Sequence, residues 1–334
     1  MFDEPSAALT EAEIEELFKI IRDLRAKDMG IVYISHRMDE IKVITDRVTV
    51  MRDGGYVGTL ITAECTKDDI INMMVGRVIY EDPKTESTVK PGAPVVLKVE
   101  HLNAGKMVQD VSFELHKGEI LGFSGLMGAG RTETARALFG ADPKEGGDIY
   151  VNGEKVEIRT PMDAVKHGIG YLSEDRKRFG IVTAKTVAEN TTMACLEDYM
   201  KGIFIDSRRE NEVAQKYVED LKTKTPGVDQ LVVNLSGGNQ QKVVIAKWLA
   251  RNCDILIFDE PTRGIDVGAK SEIYHLMNEL VAEGKSIIMI SSEMTEILRM
   301  SDRIVVMCEG KKTGEIDIAE ATQENIMHAA TLRK

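Results

Sequence analysis

The run Gly125-Leu126-Met127-Gly128-Ala129-Gly130-Arg131-Thr132 fits the phosphate-loop pattern G-x-x-x-x-G-K-[ST] at every fixed position but one. Gly125, Gly128 and Gly130, with Ala129 between them, let backbone N–H groups close around phosphate oxygens, and the following helix adds favourable potential. The Thr132 hydroxyl can ligate Mg²⁺. Arg131 stands where the pattern has lysine. It keeps the charge but is larger and forked, which puts its fit beneath the β- and γ-phosphates in question. A glycine-rich turn with no ligand is the competing reading; the buried strand before it and the helix after it favour the phosphate one.

Asp259 closes the apolar strand Ile255-Leu256-Ile257-Phe258, where a carboxylate is costly without a cation. Mg²⁺ bridging nucleotide phosphates would be that cation, and Glu260, pointing the other way, could polarise an attacking water. The alternative is an acidic pair in solvent. Leu235-Ser236-Gly237-Gly238-Asn239-Gln240-Gln241-Lys242 opens into the apolar helix Val243-Val244-Ile245-Ala246-Lys247-Trp248-Leu249-Ala250. Its Ser236 hydroxyl and the backbone of Gly237 and Gly238 would lie at the helix's positive end and suit an anion. Ser-Gly-Gly is also an ordinary N-cap and turn.

These groups sit in a chain of 334 residues, 43% apolar, with net charge −12. That length holds two domains of ordinary size. The acidic balance argues against a nucleic-acid backbone binder, and Arg176-Lys177-Arg178 reads as a solvated loop. Four dispersed cysteines without a Cys-x-x-Cys pair fit a reduced compartment and no metal site. The methionines read as core packing and Asp206 as a helix cap. No apolar run approaches the ~20 residues that span a bilayer, and no export leader follows Met1, so a membrane role would go through a partner.

Alternating strands and helices imply an α/β fold with a largely parallel sheet. In order, Thr10 and Glu13 form a capping box, a helix runs to Gly30, and Ile31–Ser35 is a short buried strand leading to His36. A helix over about 38–44, a strand over 47–51 and a turn at 53–55 making a hairpin follow. The far end repeats this. Asp259-Glu260-Pro261 matches Asp3-Glu4-Pro5, an offset of 259 − 3 = 256, and the same offset pairs Ile34-Ser35 with Ile290-Ser291 and Asp46-Arg47-Val48 with Asp302-Arg303-Ile304. Such register implies a duplicated domain of which only about the last 75 residues of the first copy are present. The reading is a remnant over 1–78, a polar, proline-rich linker over 79–94, and a complete copy over 95–334 with a helical subdomain inserted at about 175–245.

Together these parts resemble the nucleotide-binding domain of ABC transporters, a P-loop NTPase fold, over nearly the whole chain. The resemblance puts Walker A at Gly125–Thr132, the signature at Leu235–Lys242, Walker B at Ile255–Glu260 and the D-loop at Gly264-Ile265-Asp266. Glu174 stands at the Q-loop glutamine and Ser292 at the switch histidine. LSGGNQQK with the downstream run Asp259–Lys270 is similar to bacterial monosaccharide importers, whose ATPase fuses two such domains. Tyr171–Arg178 and Ala321–Glu324 look most like the ribose type, with galactose and xylose types close.

The resemblance implies ATP and Mg²⁺ as ligands, with Thr132 and Asp259 on the metal and Glu260 on the water. It implies permease subunits and a second nucleotide-binding domain as partners, a periplasmic or extracellular sugar-binding protein indirectly, no nucleic acid, and a peripheral place on the cytoplasmic membrane face. Arg131, Glu174 and Ser292 depart from the ABC consensus, and no aromatic lies between His101 and Gln109 to stack adenine. This domain's own site therefore reads as degenerate. The competent site would pair Glu4 and His36, with a Walker A upstream of Met1, with Ser236-Gly237-Gly238. Two functions compete: an ATPase subunit energising sugar import, present as its C-terminal portion, and a non-hydrolysing module that completes another chain's site. A repair or translation ATPase is disfavoured by the acidic charge.

Overall fold

The computed structural model describes residues 1–3, 5–6, 11–35, 38–52, 55–67, 69–70, 73, 83–265 and 267–332. Glu4, His36 and Asp266 lie outside the described residues, as do Thr10 and the 53–54 turn. The chain forms two compact units, residues 1–80 with 266–271, and 81–265 with 272–334.

The first unit holds β1 (Phe2–Asp3), α1 (Glu11–Arg25), β2 (Tyr33–Ile34), α2 (Met38–Ile44), β3 (Arg47–Arg52) and β4 (Gly55–Ile61). Ile14, Phe18 and Ile21 form the buried stripe of α1, at helical spacing. Two expectations fail here. The helix stops at Arg25 rather than Gly30, because Asp28 takes a left-handed φ of 58° and the Met29 N–H donates back to the Leu24 carbonyl. The strand expected over 31–35 is two residues long and not buried: Val32 is 59% and Ile34 40% exposed. Among the described residues its sheet has two strands, β1 and β2, in parallel, and no described strand lies against the far side of β2. Val48, Val50, Ile41 and Ile70 make a small separate core.

The second unit begins with β5 (Val95–Ala104), β6 (Val108–His116), β7 (Ile120–Gly125), α3 (Arg131–Leu138), β8 (Gly146–Val151), β9 (Glu154–Val156), α4 (Pro161–Lys166) and β10 (Ile169–Leu172). A polar, mostly helical stretch follows. It contains a π-helical turn (Arg176–Gly180), α5 (Val187–Thr192), the short hairpin β11 (Met200–Lys201) and β12 (Phe204–Ile205), and α6 (Ser207–Asp220). Asp206 caps α6 by accepting the Arg209 N–H. Next come α7 (Gly237–Ala250), β13 (Ile255–Asp259), α8 (Val267–Ala282), β14 (Ser286–Ile290), α9 (Met294–Met300), β15 (Arg303–Cys308), β16 (Lys311–Asp317) and α10 (Gln323–Ala330).

The central sheet has strand order β10-β13-β14-β7-β15-β16, parallel except at β16. β10, β13 and β14 are buried along their whole length, as unbroken apolar runs between helical layers require. A second, antiparallel sheet, β6-β5-β8-β9, was not expected. Phe113 of β6 meets Phe123 of β7 edge-on at 5.0 Å between ring centres, which ties the two sheets together.

The 256-residue offset is visible in the elements themselves. β3 and β15, β4 and β16, and α2 and α9 have matching first and last residues at that offset, and the β-bulges fall at Val50/Met51 and Val306/Met307. Phe2↔Tyr33 pairing corresponds to Phe258↔Met289. A buried glutamate recurs too. Glu40 accepts from Ser6, Tyr33 and Ser35, while Glu296 accepts from Thr262, Tyr274 and Ser291.

Residues 83–94 are not a free tether. Lys84 Nζ (2.6 Å), the Thr88 N–H (2.7 Å) and the Ser87 and Thr88 hydroxyls (both 3.1 Å) all donate to Oδ1 of Asp302, which is buried. Its Oδ2 accepts the N–H of Ile120 at 2.9 Å, at the start of β7. Nor are all methionines core: Met127 is 98% exposed and Met51 63%.

Candidate functional site

β7 delivers the chain into the loop 126–130 and α3 carries it away. Gly130 shows why glycine is needed there. Its φ is 99°, and a Cβ would stand 2.1 Å from the Met107 carbonyl oxygen. Gly130→Ala is expected to cost about 1–3 kcal/mol from the backbone alone and more from the clash. Chemical denaturation checks it; a loss below 1 kcal/mol would mean that the loop relaxes around the methyl group.

Arg131 does not extend freely into this loop. It is buried, and its guanidinium donates to the Ser291 carbonyl at the end of β14 and stands 3.8 Å from the Glu260 carboxylate. The larger, forked side chain has found partners within the protein.

The Thr132 hydroxyl donates to Asp259 Oδ1 at 3.0 Å, and the Tyr171 hydroxyl donates to Oδ2 at 2.7 Å. Asp259 is fully buried, and burial raises its pKa; the bonds from Tyr171 and Thr132 and the charge of Arg131 pull it back. Burial and the neighbouring carboxylate push the Tyr171 phenol up, so it stays a donor. A hydroxyl beside one carboxylate is a donor set suited to Mg²⁺, which binds through one or two carboxylates with phosphates and waters completing the shell. The described residues hold no cluster of three His, Cys, Asp or Glu, the kind of all-protein cage Mg²⁺ does not need.

Glu260 follows with φ 49°, an uncommon conformation for a non-glycine residue. It accepts from the Ser292 hydroxyl at 3.0 Å. Burial raises its pKa; Arg131 and the Ser292 bond oppose that. Arg131, Thr132, Asp259, Glu260 and Ser292 thus form one connected group where β7, β13 and β14 end. Glu174 stays outside it, paired with Arg263.

Ser236, Gly237 and Gly238 share no hydrogen bond or ion pair with that group among the described residues. Ser236 is the N-cap of α7, but its exposed hydroxyl caps no backbone N–H and instead accepts from Asn239 Nδ2 at 2.9 Å. The amides that follow turn inward: buried Gln240 donates to the Val232 and Leu235 carbonyls, fixing how α7 begins.

Lys177 and Arg178 are exposed, as the solvated reading of 176–178 expects, but Arg176 is not. Its guanidinium donates to the carbonyls of Arg263 (2.9 Å) and Gly264 (3.4 Å) and to Gln240 Oε1 (3.4 Å), and burial lowers its pKa. It lies so close to Gly237 that a Cβ there would stand 2.8 Å from it. One side chain therefore joins the turn after β10, the start of α7 and the loop after β13.

The matching family model, ABC transporter, covers residues 108–263, from β6 through both glycine motifs to just past Glu260. Residues 108–263 are an ABC transporter ATP-binding domain. The chain is 58% identical, over its whole length, to a protein of Burkholderia cenocepacia named putative ribose/galactose/methyl galactoside import ATP-binding protein 2. It is 50% identical, over 99% of the chain, to the ribose import ATP-binding protein of Clostridium tetani. The chain spans 65% of the length of each. Among solved structures, an ATP-binding cassette of an ABC transporter superposes with TM-score 0.61 at 22% identity, covering 70% of this chain and 98% of its own, which speaks for the fold alone. Motif reading of the ABC domain missed Tyr171, Arg176 and Glu296. Only Glu296 left a sequence signal, its match to Glu40 at the 256 offset.

Proposed function

We propose that the chain is the carboxy-terminal portion of an ATP-binding subunit that energises import of a sugar, ribose or a galactoside, through membrane permease subunits. The observation carrying the nucleotide reading is the connected group Arg131, Thr132, Asp259, Glu260 and Ser292 below a glycine loop. The sugar reading rests on the full-length similarity to the import proteins. Residues 1–78 are then the end of a first nucleotide-binding domain, 79–94 the link, and 95–334 the second domain, with its helical part at about 175–245 facing the permease. The subunit works peripherally at the cytoplasmic membrane face, with a sugar-binding protein across the membrane as indirect partner. Among the described residues no helix is long and apolar enough to cross a membrane, which agrees with a peripheral place.

In this reading Thr132 and Asp259 hold Mg²⁺, whose charge offsets that of the nucleotide phosphates. The loop N–H groups of 125–132 bind the phosphates, and Glu260 orients water. Gly264 and Asp266 mark the D-loop. Glu4 and His36 serve the first domain's site, which the Ser236-Gly237-Gly238 end of α7, with Ser236 exposed, completes from the opposite side.

Arg131 favours a refinement: this domain's own site binds nucleotide and turns it over poorly. Its guanidinium is committed to the Ser291 carbonyl and sits beside Glu260, the group expected to act on water. Steady-state ATP hydrolysis tests this. The chain alone is expected to stay near background, and a chain carrying an intact first domain is expected to raise turnover at least tenfold in the mixture. Strong turnover by the chain alone would overturn the module reading; nucleotide binding by neither sample would overturn the proposal itself.

A further inference from the structure

The described residues contain a cleft of about 610 Å³ away from the group around Asp259. Its walls are the docked segment 84–94, the turn between β6 and β7, the C-terminal end of α8 and, at Arg299, the end of α9. Lys84, Lys90, Lys117 and Arg299 line it, and no carboxylate does. Lys84 is matched by Asp302. Exposed Lys90 and Lys117 make no ion pair among the described residues, in a chain with net charge −12. Like charges gathered on one cleft repel one another, and an anion placed among them relieves that repulsion. The rest of the wall is mixed: Pro94 and Val281 are apolar, and Asn278 offers hydrogen bonds. A volume of this size suits a small organic ligand.

We propose that this cleft binds a soluble phosphomonoester, its dianion between Lys90, Lys117 and Arg299 and its organic body against Pro94 and Val281. A monocarboxylate would leave one of the two unmatched lysines without a counter-charge. Bound there, the ligand fastens residues 84–94 to the C-terminal end of α8. It is a regulatory site, independent of the reading of the ATP-binding group.

The test is calorimetric titration of the full chain with glucose 6-phosphate, with inorganic phosphate and, separately, with vesicles of phosphatidylcholine with or without phosphatidylglycerol. Acetylation of Lys90 and Lys117, followed by mass spectrometry, reports the location. Glucose 6-phosphate is expected to bind saturably below about 1 mM and to protect both lysines. Lys90→Gln and Lys117→Gln are each expected to weaken it about tenfold, while Lys98→Gln, whose lysine pairs with Glu100 on β5, leaves it unchanged. No saturable binding, or binding unaltered in the double variant, would overturn the proposal. So would inorganic phosphate binding as tightly (an adventitious ion only), or binding to anionic vesicles alone.

Discussion

Replacing Asp302 by alanine should lower stability by about 3–5 kcal/mol, the cost of leaving one member of a buried ion pair without its partner. Lys84, whose side chain is only 15% exposed, loses its counter-charge. The Ile120 and Thr88 N–H groups lose their acceptor, and the Ser87 and Thr88 hydroxyls must find others. In a unit of this size the midpoint of thermal unfolding should fall by on the order of 10 °C. Proteolytic cleavage within 83–94 should appear well below that midpoint. Asp302→Asn keeps an acceptor oxygen and should lose less. An Asp302→Ala protein within 1 kcal/mol of the parent would mean that the segment is held by other contacts.

Arg131→Met should destabilise in a pH-dependent way. Burial raises the folded pKa of Glu260 above its unfolded value, and the charge of Arg131 restrains that rise. A carboxyl with a raised folded pKa contributes stability that is full below its unfolded pKa and is lost as pH climbs through the folded one. Without Arg131 the folded pKa climbs further and the loss continues to higher pH. Asp259, raised by burial and restrained partly by Arg131, acts in the same direction. The expected penalty is small near pH 4, where only the bond to Ser291 is lost, and grows to about 2–4 kcal/mol by pH 7.5. Urea titrations at pH 4, 5.5 and 7.5 measure it. Adding Glu260→Gln should remove much of the slope. An equal loss at all three pH values would show that Arg131 acts through the Ser291 carbonyl alone.

Much of this was legible because it is local or repeated. A glycine loop between a buried strand and a helix can be read from 119–138 without knowing the fold. The 256-residue offset needed only two matching stretches of chain, and the structure puts bulges and element ends at the same offset. What was hidden depends on long-range packing. Tyr171 reads as one more apolar position of the strand Ile169–Leu172 and meets Asp259 only because β10 lies beside β13. Arg176 sits in a basic run that composition assigns to solvent, and becomes a bridge only when three loops converge. Residues 83–94 have the composition of a tether, yet a carboxylate far along the chain holds them. Val95–Val99 and Val111–Leu115 read as strands from the sequence, but their pairing with β8 and β9 into the antiparallel sheet β6-β5-β8-β9 depends on neighbours that no single segment reveals. The exposure of β2 was missed because strand burial depends on neighbours that a single segment does not reveal.

The Asp302 contact also bears on the order of folding. Lys84 and Asp302 are 218 residues apart in the chain, so their meeting closes a very long loop. Closure of that kind is entropically costly and slow until intervening structure has shortened the path. The acceptor forms only when β15 lies beside β7, since Asp302 directly precedes β15 and receives the first N–H of β7. Residues 84–88 therefore settle after the central sheet has assembled. They act as a late latch, closing once the strands on which the nucleotide loop depends are already in register.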